Sequence, residues 1–275
     1  MSEIQIPNHL LPADGRFGCG PSRVRQAQLE AFATEGAKLM GTSHRQAPVK
    51  NLVKRVQDGL MDLFHNPTGY EIVLGDGGST AFWDMAAFSL ADGKAQALVH
   101  GEFGAKFASS LKAPWLTAPT VIQGEPGSRL DLVAEAGVST YVYPQNETST
   151  GVVTPVSRIA GVDKDAIFLT DATSAAGGID FDPTETDCYY FAPQKNFASD
   201  GGLWFALMSP AAVERAERIA STDRYIPEFL SLKTAIDNSR LNQTLNTPAI
   251  ATLFLLAEQV DWINQNGGLA WADAR

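Results

Sequence analysis

Apolar positions recur at two spacings along this chain, and the switch between them lays out its elements. From residue 49 the spacing is helical: Val49, Leu52, Val53, Val56, Leu60, Leu63 and Phe64 share one face, and Asn66-Pro67 stops the run. Beyond it, short apolar runs alternate with helical patterns: EIVL (71–74) before 81–90, QALV (96–99) before 104–112, then TYVY (140–143) and AIFLT (166–170). This alternation predicts crossover units on a mainly parallel sheet with helices on both faces. GLWFALM (202–208) follows the β-rich run Cys188, Tyr189, Tyr190, Phe191 closely, so a hairpin-like reversal and one antiparallel strand are expected. Pro210 opens a helix carrying Val213, Ala216 and Ala220. Thr247-Pro248 reads as an N-cap and first helical residue, starting a long apolar-striped helix that reaches about Gln265, before Gly267-Gly268. Residues 1–20, punctuated by Pro and Gly, read as an arm laid over another surface, so the expected α/β domain spans 21–265.

Composition narrows the class. At 275 residues and 44% apolar content the chain can bury a large core. With 21 basic against 31 acidic residues, net −10, it has no electrostatic footprint for nucleic acid or an anionic membrane, so any anionic ligand must be held locally. Cys19 and Cys188 lie far apart, with neither metal-ligand spacing nor a disulfide framework, which points to a reducing, cytoplasmic location and no metal. The N-terminus lacks a signal pattern, and the most apolar stretch, AIATLFLLA (249–257), is too short to span a bilayer.

Three stretches carry chemistry. GDGGST (75–80) lies between a strand and a helix, where successive backbone N–H groups and the positive helix end form an anion cradle; an ordinary tight turn fits equally well. In FLTDATSAAGG (168–178), Asp171 follows a buried strand at the edge where ligands bind parallel sheets, although taken alone it suits a helix N-cap. Lys195, after Gln194, stands at the neighbouring edge, where a covered amine can form an imine with a carbonyl, although most lone lysines are solvated surface charges. Together they match three demands of pyridoxal phosphate: a grip on its phosphate, a carboxylate for its pyridine nitrogen and an amine for its aldehyde.

Motifs in order along the chain support that combination: FGCGP (17–21), SHR (43–45), GGSTAF (77–82), HGEFGAKF (100–107), NETSTG (146–151), TDATS (170–174), APQKN (192–196) and LNTP (245–248). By these the chain resembles the phosphoserine aminotransferase family, in its actinobacterial branch, among the fold-type I, class V pyridoxal-phosphate enzymes. The resemblance implies a homodimer with shared active sites, amino-group exchange between glutamate and 3-phosphohydroxypyruvate in serine biosynthesis, and a further role in pyridoxine biosynthesis. It implies that Lys195 holds the cofactor covalently and moves the substrate α-proton, and that Asp171 pairs with the pyridine nitrogen. Gly78, Ser79 and Gln194 would bind the cofactor phosphate, with Asn246 and Thr247 reaching it from the other subunit. Phe103 would stack on the pyridine face, where the family commonly has Trp, and Thr148 would contact the phenolic-oxygen side. His44 and Arg45 would reach across the dimer to the substrate phosphate.

Two departures stand out. Ser79 occupies a place where many members carry an arginine for the substrate phosphate. The family also continues into a small C-terminal domain that supplies an arginine for the α-carboxylate, so residues 266–275 are expected to begin a linker toward a domain this chain lacks, as in a truncated enzyme. The rivals are another class V aminotransferase of the alanine–glyoxylate or serine–pyruvate type, a cofactor-binding scaffold without turnover and, more remotely, a Schiff-base lyase without the cofactor. Trp83, with the other four tryptophans, reads as core or interface.

Overall fold

The computed structural model describes residues 5–11, 14–15 and 18–275; Phe17 of the FGCGP motif and residues 1–4, 12, 13 and 16 of the expected arm lie outside the described residues. In chain order the elements are α1 (Gln26–Thr34), α2 (Ala47–Leu63), β1 (Glu71–Asp76), α3 (Ser79–Ser89), β2 (Lys94–Val99), α4 (Glu102–Ser110), β3 (Thr117–Gln123), β4 (Val138–Pro144), β5 (Asn146–Glu147), β6 (Val152–Val153), β7 (Ile167–Asp171), β8 (Cys188–Phe191), β9 (Leu203–Met208), α5 (Pro210–Ala220), α6 (Leu232–Arg240), α7 (Ile250–Gln265) and α8 (Gly268–Asp273). Seven strands form one sheet in the order β1-β9-β8-β7-β4-β2-β3. β9 runs antiparallel to both its neighbours and the other pairings within this sheet are parallel, as the sequence pattern predicts, while β5 and β6 form a separate antiparallel pair.

Period-two side chains feed two cores, one on each face. Along β9, Trp204, Ala206 and Met208 join Val73, Tyr190 and the inner faces of α3, α5 and α6. Leu203, Phe205 and Leu207 join Ile72, Leu74, Tyr189 and Phe191 under α2 and α7. Strands buried on both faces read as nearly continuous apolar runs, which is why they were legible.

Three elements differ from expectation. The edge strand β3 has no buried residue and a proline at its third position, so its pattern carries little signal. α7 starts at Ile250 rather than Pro248: Ala249 is its N-cap, without a side-chain cap bond, and the Thr247 hydroxyl is instead within 3.3 Å of His44 Nδ1. Within the stretch where a linker is expected to begin, Gly268–Asp273 forms α8, whose Leu269 is buried in the core under α2 and α7.

Candidate active site

The parallel strands place the chemistry at their carboxyl ends. Gly78 caps α3 just past β1, Phe103 lies in the first turn of α4 past β2, Thr148 follows β4, Asp171 ends β7, and Gln194 and Lys195 follow β8. All six line one cavity of about 240 Å³, shared with Ser79, Thr80, Trp83, Pro144, Asn146 and Thr173. This is the edge at which open α/β sheets bind ligands.

Each wall has a local cause. Gly77 turns the chain at φ 113°, a conformation costly for residues with a Cβ, and a Cβ there would stand 2.7 Å from that of Ala81. The turn aims the opening of α3 into the cavity, where nothing lies within 4 Å of the Cβ position of Gly78, leaving room for an anion against the backbone. The Ser79 hydroxyl meets that of Thr173 at 2.6 Å, and Thr173 donates its hydroxyl (2.6 Å) and N–H (2.9 Å) to Asp171 Oδ1. Asp171 therefore does act as a capping acceptor, of the turn that follows it. Its other oxygen accepts the Trp83 indole N–H at 3.1 Å. Burial pushes the Asp171 carboxyl above its ordinary range, while donors from Thr173, Tyr190 and Trp83 pull it back.

Phe103 is set by a buried carboxylate. Glu147, fully buried, accepts the backbone N–H groups of Phe103 (3.3 Å), Gly104 (2.9 Å) and Ser149 (3.1 Å) and the Ser149 hydroxyl (2.7 Å), so it closes the positive start of α4. On the opposite wall, Thr148 donates to the Ser174 hydroxyl at 2.9 Å. Lys195 lies half-buried on the loop joining β8 to β9, which is anchored by Phe197 packed at a tilt against Phe191 and by Asn196 donating to the carbonyls of Ser174 and Ala175. Its Nζ donates to the Cys19 carbonyl at 3.3 Å, and a Cβ at Gly20 would fall 2.3 Å from the lysine Cδ, so the loop around residue 20 packs directly on the amine.

The remaining predicted residues gather elsewhere. His44 touches Thr247, Arg45 donates to Gln243 Oε1 at 3.0 Å, and none of His44, Arg45, Asn246 or Thr247 lines the cavity. Burial and the neighbouring Arg45 charge lower the His44 pKa, and its Nε2 is buried without a partner among the described residues. Sequence reasoning missed Thr173 as a wall residue, although its position two residues after a strand-end Asp was a usable signal. It placed Trp83 in the core, because an indole on an apolar helix gives no sign of which atom its N–H meets.

The arrangement fits an elongated ligand with an anion at one end and a cation or N–H donor at the other. Among the described residues, the buried acceptor Gln194 Oε1 lacks a partner beside the cradle, and Asp171 has hydrogen-bond donors but no cation. Pyridoxal phosphate has both ends, and a carbonyl for the lysine between them.

Comparison with known proteins gives the same outline. The family model described as aminotransferase class-V matches residues 20–275. The phosphoserine aminotransferase of Nocardioides sp. (strain ATCC BAA-499 / JS614) is 60% identical over 274 residues, covering 99% of this chain and 73% of that protein. Among solved structures, a phosphoserine aminotransferase from Cytophaga hutchinsonii superposes with a TM-score of 0.84 at 24% identity, over 94% of this chain and 73% of that one. The PLP-bound phosphoserine aminotransferase of Trichomonas vaginalis superposes at 0.78 with 22% identity, over 94% and 73%. At those identities the superpositions show the shared fold.

Proposed function

We propose, from the premise that the chain belongs to the class-V aminotransferase family, that it is a pyridoxal-phosphate-dependent phosphoserine aminotransferase. It exchanges an amino group between L-glutamate and 3-phosphohydroxypyruvate, giving O-phospho-L-serine and 2-oxoglutarate. The observation that carries the reading is the convergence of the α3 cradle, Asp171 and Lys195 on one cavity.

When bound, the cofactor supplies a protonated ring that draws electron density from the substrate α-carbon. The protein's own groups do the rest. Lys195 Nζ holds the cofactor, removes the α-proton of the amino donor and returns a proton to the keto acid, a general acid/base role. Asp171 keeps the ring nitrogen protonated by offering it a buried carboxylate. Gly78 and Ser79 bind the phosphate at the α3 N-terminus, with Gln194 beside them. Phe103 would cover one ring face, and Thr148 would contact the side of its phenolic oxygen, both from the lining of the same cavity.

His44, Arg45, Asn246 and Thr247 serve a neighbouring subunit in this reading. They lie outside the lining of this chain's cavity, where residues of a shared homodimeric site would face a second subunit. The Arg45 guanidinium then grips the substrate phosphate with a two-pronged fork. A cytoplasmic enzyme is proposed, in keeping with two cysteines that are both free thiols.

The test is intact mass before and after borohydride reduction with added pyridoxal phosphate. One reduced cofactor on the peptide holding Lys195, absent from Lys195→Ala, is expected. Incorporation elsewhere, or none in folded protein, sinks the reading. Arg45→Ala is expected to raise KM for the phosphorylated substrate more than for glutamate.

A further inference from the structure

We infer that Trp83 and Tyr190 are positioning residues for Asp171, so that the helix carrying the anion cradle also fixes the carboxylate at the far end of the same cavity. This rests on the cofactor reading above. Ser79 and Trp83 stand one turn apart on α3, at a spacing that puts both on one helix face. From that face Ser79 reaches Asp171 Oδ1 through Thr173, and Trp83 reaches Oδ2 directly. Both carboxylate oxygens are thereby tied to one rigid element.

Tyr190 completes the grip from the sheet. It is the residue directly paired with Asp171 across β7 and β8, so the two side chains emerge on the same face. Its hydroxyl oxygen accepts the Trp83 indole N–H at 3.0 Å, which leaves its own proton free, and it stands close enough to the carboxylate to help hold the Asp171 pKa down. The rings have little freedom to swing away: Tyr190 stacks on Phe82 at 4.3 Å and Trp83 on Phe107 at 6.3 Å. An indole needed only for packing would not aim its one polar atom at the carboxylate that lines the cavity.

The carboxylate is buried with only neutral donors holding it, so each donor lost favours its protonated form. The titratable groups around it are Tyr190 and Tyr189 on β8 and Lys195, which lines the same cavity; burial drives both phenols well above their ordinary range, leaving them neutral donors at working pH.

The experiment follows the Asp171 carboxyl carbon by NMR through a pH titration of 13C-aspartate-labelled protein without cofactor, in wild type, Trp83→Phe and Tyr190→Phe. Each variant keeps an aromatic ring in place, and circular dichroism confirms its fold. Trp83→Phe should move the titration upward by about one pH unit, the size of one hydrogen bond to a charged group, and Tyr190→Phe should move it the same way. The pyridoxal-phosphate Kd should rise on the order of tenfold in Trp83→Phe. An unmoved titration in both variants overturns the inference. A wild-type protein that gives no borohydride adduct on Lys195 overturns the cofactor reading instead, so the two failures are distinguishable.

Discussion

Two buried aspartates mark opposite edges of the same sheet. Asp187, just before β8, is 3% exposed and fully neutralised: Arg158 grips it through two N–H groups at 2.8 and 2.9 Å, and Phe168 N–H and the Ser209 hydroxyl donate at 2.9 and 2.8 Å. Asp171, ending β7, is 8% exposed and as richly hydrogen-bonded, yet its partners are all neutral. A carboxylate with a built-in guanidinium is finished when the chain folds. On the cofactor reading, one with dipoles alone is held ready for a positive group that arrives later. Burial and hydrogen bonding are similar at the two sites, so in that reading it is the guanidinium at Asp187 that sets the two apart.

The largest break in this symmetry should come from Asp171→Asn. The neutral amide keeps the shape but cannot hold the ring nitrogen protonated, so turnover should fall on the order of 10³-fold while the melting temperature holds or rises, as paired assays of rate and thermal unfolding will read. The mirror experiment is Arg158→Met, which strands the Asp187 charge. Denaturant unfolding should show a loss of about 2–3 kcal/mol, below the usual figure for buried pairs because the guanidinium is itself about a third exposed, with little change in cofactor affinity.

A smaller effect is expected at Glu147, a buried carboxylate whose partners are the N–H groups opening α4 and Ser149. Glu147→Gln should cost about 1–2 kcal/mol of stability and weaken pyridoxal-phosphate binding several-fold by loosening Phe103, measured by denaturant melts and cofactor titration. The smallest belongs to Asp76, half-buried at the end of β1, where burial raises the carboxyl to about 6 against one opposing backbone N–H from Asn246. The folded chain then holds a proton that the unfolded chain releases, so this group's contribution is present below the ordinary carboxylate range and is lost as pH rises through about 6. Asp76→Asn should flatten the stability slope over that window by under about 1 kcal/mol, given solvent screening.

Much of this was legible in sequence, for identifiable reasons. β1, β8 and β9 are apolar on both faces, so their runs announce strands without ambiguity, and β3 escapes because none of its residues is buried and a proline interrupts it. Asp171 and Lys195 could be placed because both follow a recognisable strand, and strand ends share an edge. Trp83 could not, since periodicity tells which way a helix faces but not what an indole nitrogen meets across 88 residues of chain. The split of the candidate residues into a cavity and a set outside its lining was equally out of reach, because it depends on how the loop at 43–45 lies against that at 243–247.

β1 lies at the edge of the sheet, bonded there only to β9, whose residues lie more than a hundred positions further along the chain. A ribosome has therefore already made β2, β3, β4, β7 and β8 before the strand beneath the anion cradle has a partner to join. Emergence of β9 from the exit tunnel, more than any event early in translation, sets when the pocket first exists. Chains stalled before Leu203 should retain protease sensitivity around residues 71–89, and chains stalled well beyond Met208 should lose it.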